Sequence, residues 1–125
     1  MAFDEATRRR IERAWNCRLH TRGRKSGQRR SVTVWFALDG DEVVVCGSPE
    51  NPQWRRNLQA CGDLELEIAG VRMRGRAHAV DAEAEAEAIR QLFVRRYLAV
   101  RLSRPFGGYT RATAVRIAID EVDAG

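Results

Sequence analysis

The sequence predicts an α+β domain, mainly β, in which six antiparallel strands form a barrel or a sandwich flanked by two or three helices. Three observations carry this. Short segments alternate apolar and polar residues with period two. Asp39-Gly40 and Ala69-Gly70 mark tight hairpins between such segments. Residues 4–14 and 81–102 place acids first and arginines later, the order a helix dipole favours. The 125 residues suit one domain spanning 1–125, with 1–15 as an N-terminal helix or arm. A chain of this length buries a core without disulfides or metals.

Residues 4–14 read as an arginine-rich surface helix with few apolar positions. Over 17–22, Leu19 and Thr21 share one face of a strand, and Arg18, His20 and Arg22 the other. Gly23 to Gln28 form a turn. In the next strand Val32, Val34 and Phe36 face one way and Thr33 and Trp35 the other. After Asp39-Gly40, the third strand runs from Glu42 to Gly47 around Val43, Val44 and Val45. Asn51 and Pro52 suit an N-cap and first helical position, opening a short helix with Trp54 and Leu58 on one face. Cys61-Gly62-Asp63 ends it.

Residues 64–80 form the clearest hairpin. Leu64, Leu66 and Ile68 face inward, as do Val71, Met73, Gly75 and Ala77. This register sets Glu67 opposite Arg72 and Glu65 opposite Arg74, pairs that favour it by a few tenths to about 1 kcal/mol each. The arginine row is therefore structural rather than a nucleic-acid stripe. Asp81 is expected to cap a helix reaching about Leu102, with Ala82, Ala86, Ile89, Phe93 and Val100 on its buried stripe. Pro105 to Gly108 read as a loop. A last strand directs Val115, Ile117 and Ile119 inward.

Composition narrows the function. The net charge is +5, carried by 21 arginines and one lysine, Lys25. Such charge suits an anionic ligand or nucleic acid, but the interleaved aromatics of single-strand binders are missing. A binding module without catalysis thus ranks second to an enzyme. No apolar run approaches the roughly 20 residues that span a bilayer, and the N-terminal residues do not read as a signal peptide. The expected location is the cytoplasm. Cys17, Cys46 and Cys61 fit no metal or redox spacing. His20 and His78 lie far apart on outer faces, so no metal site is expected. No catalytic triad, carboxylate dyad, Walker motif or dinucleotide fingerprint stands out. Any redox chemistry must come from a cofactor.

Two segments could hold one. Residues 13–38 contain no Asp or Glu and carry Thr21-Arg22-Gly23-Arg24-Lys25-Ser26-Gly27, a glycine-bracketed basic turn. Arginine forks and the lysine charge suit phosphate or carboxylate oxygens; an ordinary solvated turn is the alternative. The second is Gly47-Ser48-Pro49-Glu50 leading into the helix that carries Trp54 and Asn57. A loop entering a helix N-terminus suits an anion. Asn57 suits loop bonding as well as ligand contact, and Trp54 suits the core as well as a cofactor shelf.

In this order the segments resemble the deazaflavin-dependent nitroreductase family of flavin/deazaflavin oxidoreductases. The matching residues are Thr21 to Gly27, Arg30, Trp35, Asp39-Gly40, Trp54 to Leu58, Arg96-Tyr97 and Val115 to Asp120. The resemblance covers roughly residues 17–122. It implies a six-stranded antiparallel split β-barrel with flanking helices, the fold of pyridoxamine-phosphate oxidase. It implies hydride transfer from reduced coenzyme F-420, an 8-hydroxy-5-deazaflavin, to a small quinone, nitroaromatic or enone.

On the same resemblance Arg24, Lys25, Ser26, Gly27 and Arg30 hold the coenzyme's phosphate and acidic tail. The Gly47-Ser48 loop and Trp54 flank its ring with Asn57 among the binding residues, and Tyr97 stands near the acceptor as the catalytic side chain, with packing against the barrel as the alternative. Split barrels often pair, which makes a homodimer one of two expected assembly states. Arg29 stands where the family often has proline, and Ser48-Pro49 where it has glycines. Pro49 lacks a backbone N–H. These departures keep FMN as an alternative cofactor.

Overall fold

A computed structural model of the chain describes residues 3–23, 25–47, 53–80, 82–97 and 113–123. The first helix is α1 (Glu5–Glu12), and strands β1 (Cys17–Arg22), β2 (Arg29–Val34), β3 (Phe36–Asp39) and β4 (Glu42–Gly47) follow it. Next come α2 (Gln53–Ala60), β5 (Asp63–Ile68), β6 (Val71–Ala79), α3 (Glu83–Arg96) and β7 (Thr113–Asp123). The strands form one seven-stranded sheet in the order β2-β1-β5-β6-β7-β4-β3, with every neighbouring pair antiparallel.

The number of strands corrects the expected six. The predicted strand through Val32, Val34 and Phe36 breaks at Trp35, and its two halves become β2 and β3 at opposite edges of the sheet. One residue joins those edges, so the sheet must curl until they approach. The result is a curled antiparallel half-barrel. Leu19, Phe36, Val43, Val45, Leu66, Met73 and Ile117 meet in its interior, and Phe3 and Ile11 join them from the N-terminal segment and α1. Each fully buried large apolar side chain contributes about 1.5–3 kcal/mol.

A second cluster lies on the other face of β3, β4 and β7. There Ala37, Val44 and Ala114 pack against Ile89, Phe93 and Tyr97. Trp35 joins this cluster while Val34 and Phe36 face the first. The apolar alternation thus passes unbroken through the interruption, which is why it reads as one strand.

The β5–β6 hairpin has the expected register: Glu67 pairs with Arg72 and Glu65 with Arg74. Their Nε–Oε separations are 3.6 and 3.9 Å. Between Arg74 and Gly75 the pairing of β6 with β7 slips by a bulge. A Cβ on Gly75 would come within 2.5 Å of the Ala118 carbonyl oxygen, so only glycine fits this approach.

Helix α1 begins as its charges suggest. Asp4 is its N-cap, its carboxylate accepting from the Thr7 N–H at 2.7 Å. Helix α3 departs from expectation at both ends. Its N-cap is Ala82, without a side-chain capping bond, and Asp81 lies outside the described residues. It stops at Arg96, because Tyr97 has extended angles, φ −114° and ψ 119°. The proposed cap at Asn51-Pro52 and the loop at 105–108 also lie outside the described residues. No described helix is long and apolar enough to cross a membrane.

Candidate functional site

The basic turn and α2 face each other across a cavity of about 630 Å³. The turn is built by short-range bonds. Gly23 donates to the Gln28 carbonyl and Gly27 to the Gly23 carbonyl, each at 2.8 Å. Ser26 Oγ accepts from the Gln28 N–H at 3.2 Å. Gly27 sits at φ 71°, a left-handed angle that glycine adopts without strain. Gly27 therefore shapes the turn and does not line the cavity.

Lys25, Ser26 and Arg30 line one side, and Trp54, Asn57 and Gln53 the other. The floor is fixed by β1 and β2. Thr21 is buried on the inner face of β1, opposite Arg30 of β2. Asn57 is buried on α2, and its Nδ2 donates to Thr21 Oγ1 at 3.4 Å. That polar contact ties the helix to the strand directly beside the cavity. Trp54 packs against the main core and also lines the cavity.

Charge distinguishes this corner from the rest of the sheet. The neighbouring arginines of the outer face are matched by acids: Arg29 with Glu65, Arg72 with Glu67 and Arg76 with Asp63. Lys25 and Arg30 have no carboxylate within 4.0 Å among the described residues. The hairpin also sets Arg22 directly opposite Arg29. Their side chains lie on the outer face, where Arg29 meets Glu65.

The remaining expected residues fall elsewhere. Arg24 and Ser48 lie outside the described residues. Gly47 ends β4 opposite Thr113. Tyr97 is absent from the cavity lining; it is 3% exposed in the second apolar cluster. Its hydroxyl proton is shared between the carbonyl oxygens of Trp15 at 2.7 Å and Phe36 at 2.9 Å. The same oxygen accepts from the Phe36 N–H at 3.3 Å. Trp35 stacks on the ring with centroids 4.4 Å apart. These contacts make Tyr97 a brace for the edge of β3, the packing role the sequence left open beside a place at the acceptor.

Thr21, named within the basic turn, and Gln53, at the start of α2, line the cavity too, with Ser31 and Val32 of β2 beside them. The alternation along β1 already turned Thr21 inward, and an inward polar side chain was the available signal. Sequence reasoning left His20 without a partner. In the structure His20 Nδ1 lies 2.7 Å from Ser31 Oγ, a neighbour that the β1–β2 register would have supplied.

Comparison with known proteins adds an independent line. Residues 2–117 match a family described as F420H(2)-dependent quinone reductase. An F420H(2)-dependent quinone reductase of Mycobacterium tuberculosis is 37% identical over 54 residues, covering 40% of this chain and 36% of that protein. The match thus spans about a third of the length of that relative. A Mycobacterium tuberculosis protein of known structure superposes with TM-score 0.77 at 18% identity, covering 98% of this chain and 84% of that one. A candidate pyridoxamine 5′-phosphate oxidase from Listeria innocua gives TM-score 0.73 at 12% identity, covering 95% and 94%. These structural likenesses show the fold alone. The family match carries the deazaflavin and gives the FMN alternative no support.

Proposed function

The chain belongs to the F420H(2)-dependent quinone reductase family, and from that premise we propose that it transfers hydride from reduced coenzyme F-420 to a quinone. The observation that carries this reading is a pair of cations, Lys25 and Arg30, that no described carboxylate matches, facing Trp54 across a cavity of about 630 Å³. That volume lies within the range of small-molecule sites.

The residues present fit such a coenzyme. Lys25, Arg30 and Ser26 offer charge and a hydroxyl to its phosphate and acidic tail. Val32 and Trp54 offer an apolar wall to a flat ring. When bound, the reduced deazaflavin supplies the hydride. The chain's part is to hold donor and acceptor in reach and to exclude water, effects that lower a barrier without any covalent step on the protein. Asn57, fixed by Thr21, keeps α2 at a set distance from β1 and so sets the width of the cavity.

The direct assay mixes protein, reduced coenzyme and a soluble naphthoquinone without oxygen and follows recovery of the oxidised deazaflavin absorbance. Protein-dependent recovery is expected. No oxidation with any quinone, nitroaromatic or enone would leave a binding module as the better description.

A further inference from the structure

Thr21 carries a hydrogen-bond donor that the described chain does not use. It lies on the inner face of β1, lines the cavity and is 4% exposed. A threonine hydroxyl offers one donor and two acceptor sites. Thr21 Oγ1 accepts from Asn57 Nδ2 at 3.4 Å, and among the described residues the hydroxyl makes no second hydrogen bond. Asn57 already supplies a proton to this oxygen, so the hydroxyl's own proton is directed elsewhere. A ligand that fills the cavity must accept that proton in place of solvent or lose affinity.

The register places this donor between two kinds of wall. Leu19 pairs with Val32 and Thr21 with Arg30. Val32 and Trp54 pack against the main core. Beyond Thr21 and Arg30 come Gly23 and the turn that carries Lys25 and Ser26. From core to turn the wall is therefore apolar, then neutral and polar, then cationic. Thr21 and Asn57 form the neutral step. Coenzyme F-420 has the same order of polarity: a flat ring, a chain of hydroxyl-bearing carbons, a phosphate and an acidic tail.

We propose that Thr21 is a coenzyme-binding residue whose hydroxyl donates a hydrogen bond to the polyhydroxyl chain between ring and phosphate. This rests on the proposed deazaflavin-dependent function.

Lys25 and Arg30 attract the phosphate by charge, and attraction between charges falls off slowly with distance. It therefore tolerates a ligand that slides. A hydroxyl bond prefers about 2.7–2.8 Å and weakens steeply with misalignment. A bond from Thr21 to the neutral chain thus sets how deep the ring stands beside Val32 and Trp54, which the cations alone leave loose.

The test uses the full chain and three ligands: coenzyme F-420, a deazaflavin with the polyhydroxyl chain but no phosphate, and a deazaflavin with a plain alkyl chain. Fluorescence titration reads the first, and displacement of the coenzyme reads the two analogues. Thr21→Val keeps the side-chain shape and removes the hydroxyl. It is expected to raise Kd about fivefold for both ligands with hydroxyls, the size of one neutral hydrogen bond. Kd for the alkyl ligand stays within about twofold on the same grounds. Thr21→Ser restores the wild-type values, and Thr21→Ala repeats the pattern should Thr21→Val not fold. Lys25→Ala gives a different pattern, with loss for the phosphate-bearing coenzyme and none for either analogue.

Equal loss for all three ligands would assign Thr21 to shaping the cavity through Asn57. Loss for the coenzyme alone would assign its proton to the phosphate. Either result overturns the inference, as does an unchanged Kd in Thr21→Val; if the Lys25→Ala pattern holds meanwhile, the deazaflavin reading stands. A wild-type protein that binds none of the three ligands would overturn that reading, and the role of Thr21 with it.

Discussion

The Tyr97 hydroxyl engages both backbone groups of Phe36, lying 2.9 Å from its carbonyl oxygen and 3.3 Å from its nitrogen. Phe36 opens β3, which lies at the edge of the sheet, where its outward N–H and C=O groups meet no strand among the described residues. Tyr97 takes that place, and through Trp15 it ties the end of α1's connection to the same point. Tyr97→Phe keeps the stacked ring and strips three polar contacts. A loss of about 1–3 kcal/mol of stability is expected from the unsatisfied backbone groups, measured by urea denaturation. Coenzyme affinity should not change. Unchanged stability with lost turnover would return Tyr97 to the acceptor.

Arg116 of β7 holds three acids at once. Its Nη1 lies 2.8 Å from Asp39 and 2.9 Å from Glu42, and its Nε lies 3.0 Å from Glu85. Burial opposes the guanidinium charge, but the hydrogen bonds to these carboxylates outweigh it and raise its pKa. One side chain thus joins the β3–β4 hairpin to α3. Arg116→Met is expected to destabilise the fold by roughly 1.5–3 kcal/mol, since charged hydrogen bonds are lost and three acids are left close together. Chemical denaturation reads this loss. Neutralising Asp39 alone should cost less.

Hairpin β5–β6 was legible because Glu65 and Glu67 answer Arg74 and Arg72 across a two-residue turn, a local signal. The break at Trp35 was not, because no glycine or proline marks it and the alternation runs through it. Closure of the sheet imposes it from a distance. The end of α3 was hidden likewise: the pattern continues past Arg96, where Tyr97 turns to extended backbone and bonds Phe36 across the fold. At the site, the basic turn and the Trp54 helix were legible as separate segments. That they face one another depends on how α2 packs on β1.

Cys17 and Cys46 give a test of burial. Loss of solvation raises both thiols to about 12 from the ordinary 9.0, with Arg90 opposing the shift at Cys46. The unfolded chain ionises these thiols at lower pH than the folded one. Their contribution to stability is therefore complete below about pH 9 and is lost as pH rises towards 12. In denaturant titrations between those limits, Cys17→Ala should flatten the decline relative to wild type. At pH 8 neither thiol should react with a disulfide reagent until the protein unfolds.

The cavity's role is tested most directly by fluorescence titration of coenzyme F-420 into wild type, Lys25→Ala and Arg30→Ala. Wild type should bind in the micromolar range, about −8 kcal/mol. Each variant should raise Kd by about tenfold, or about 1.4 kcal/mol. Added salt should weaken wild-type binding more than it weakens either variant. Absence of wild-type binding, or a Kd unchanged in both variants, would contradict the assignment of this cavity to the coenzyme.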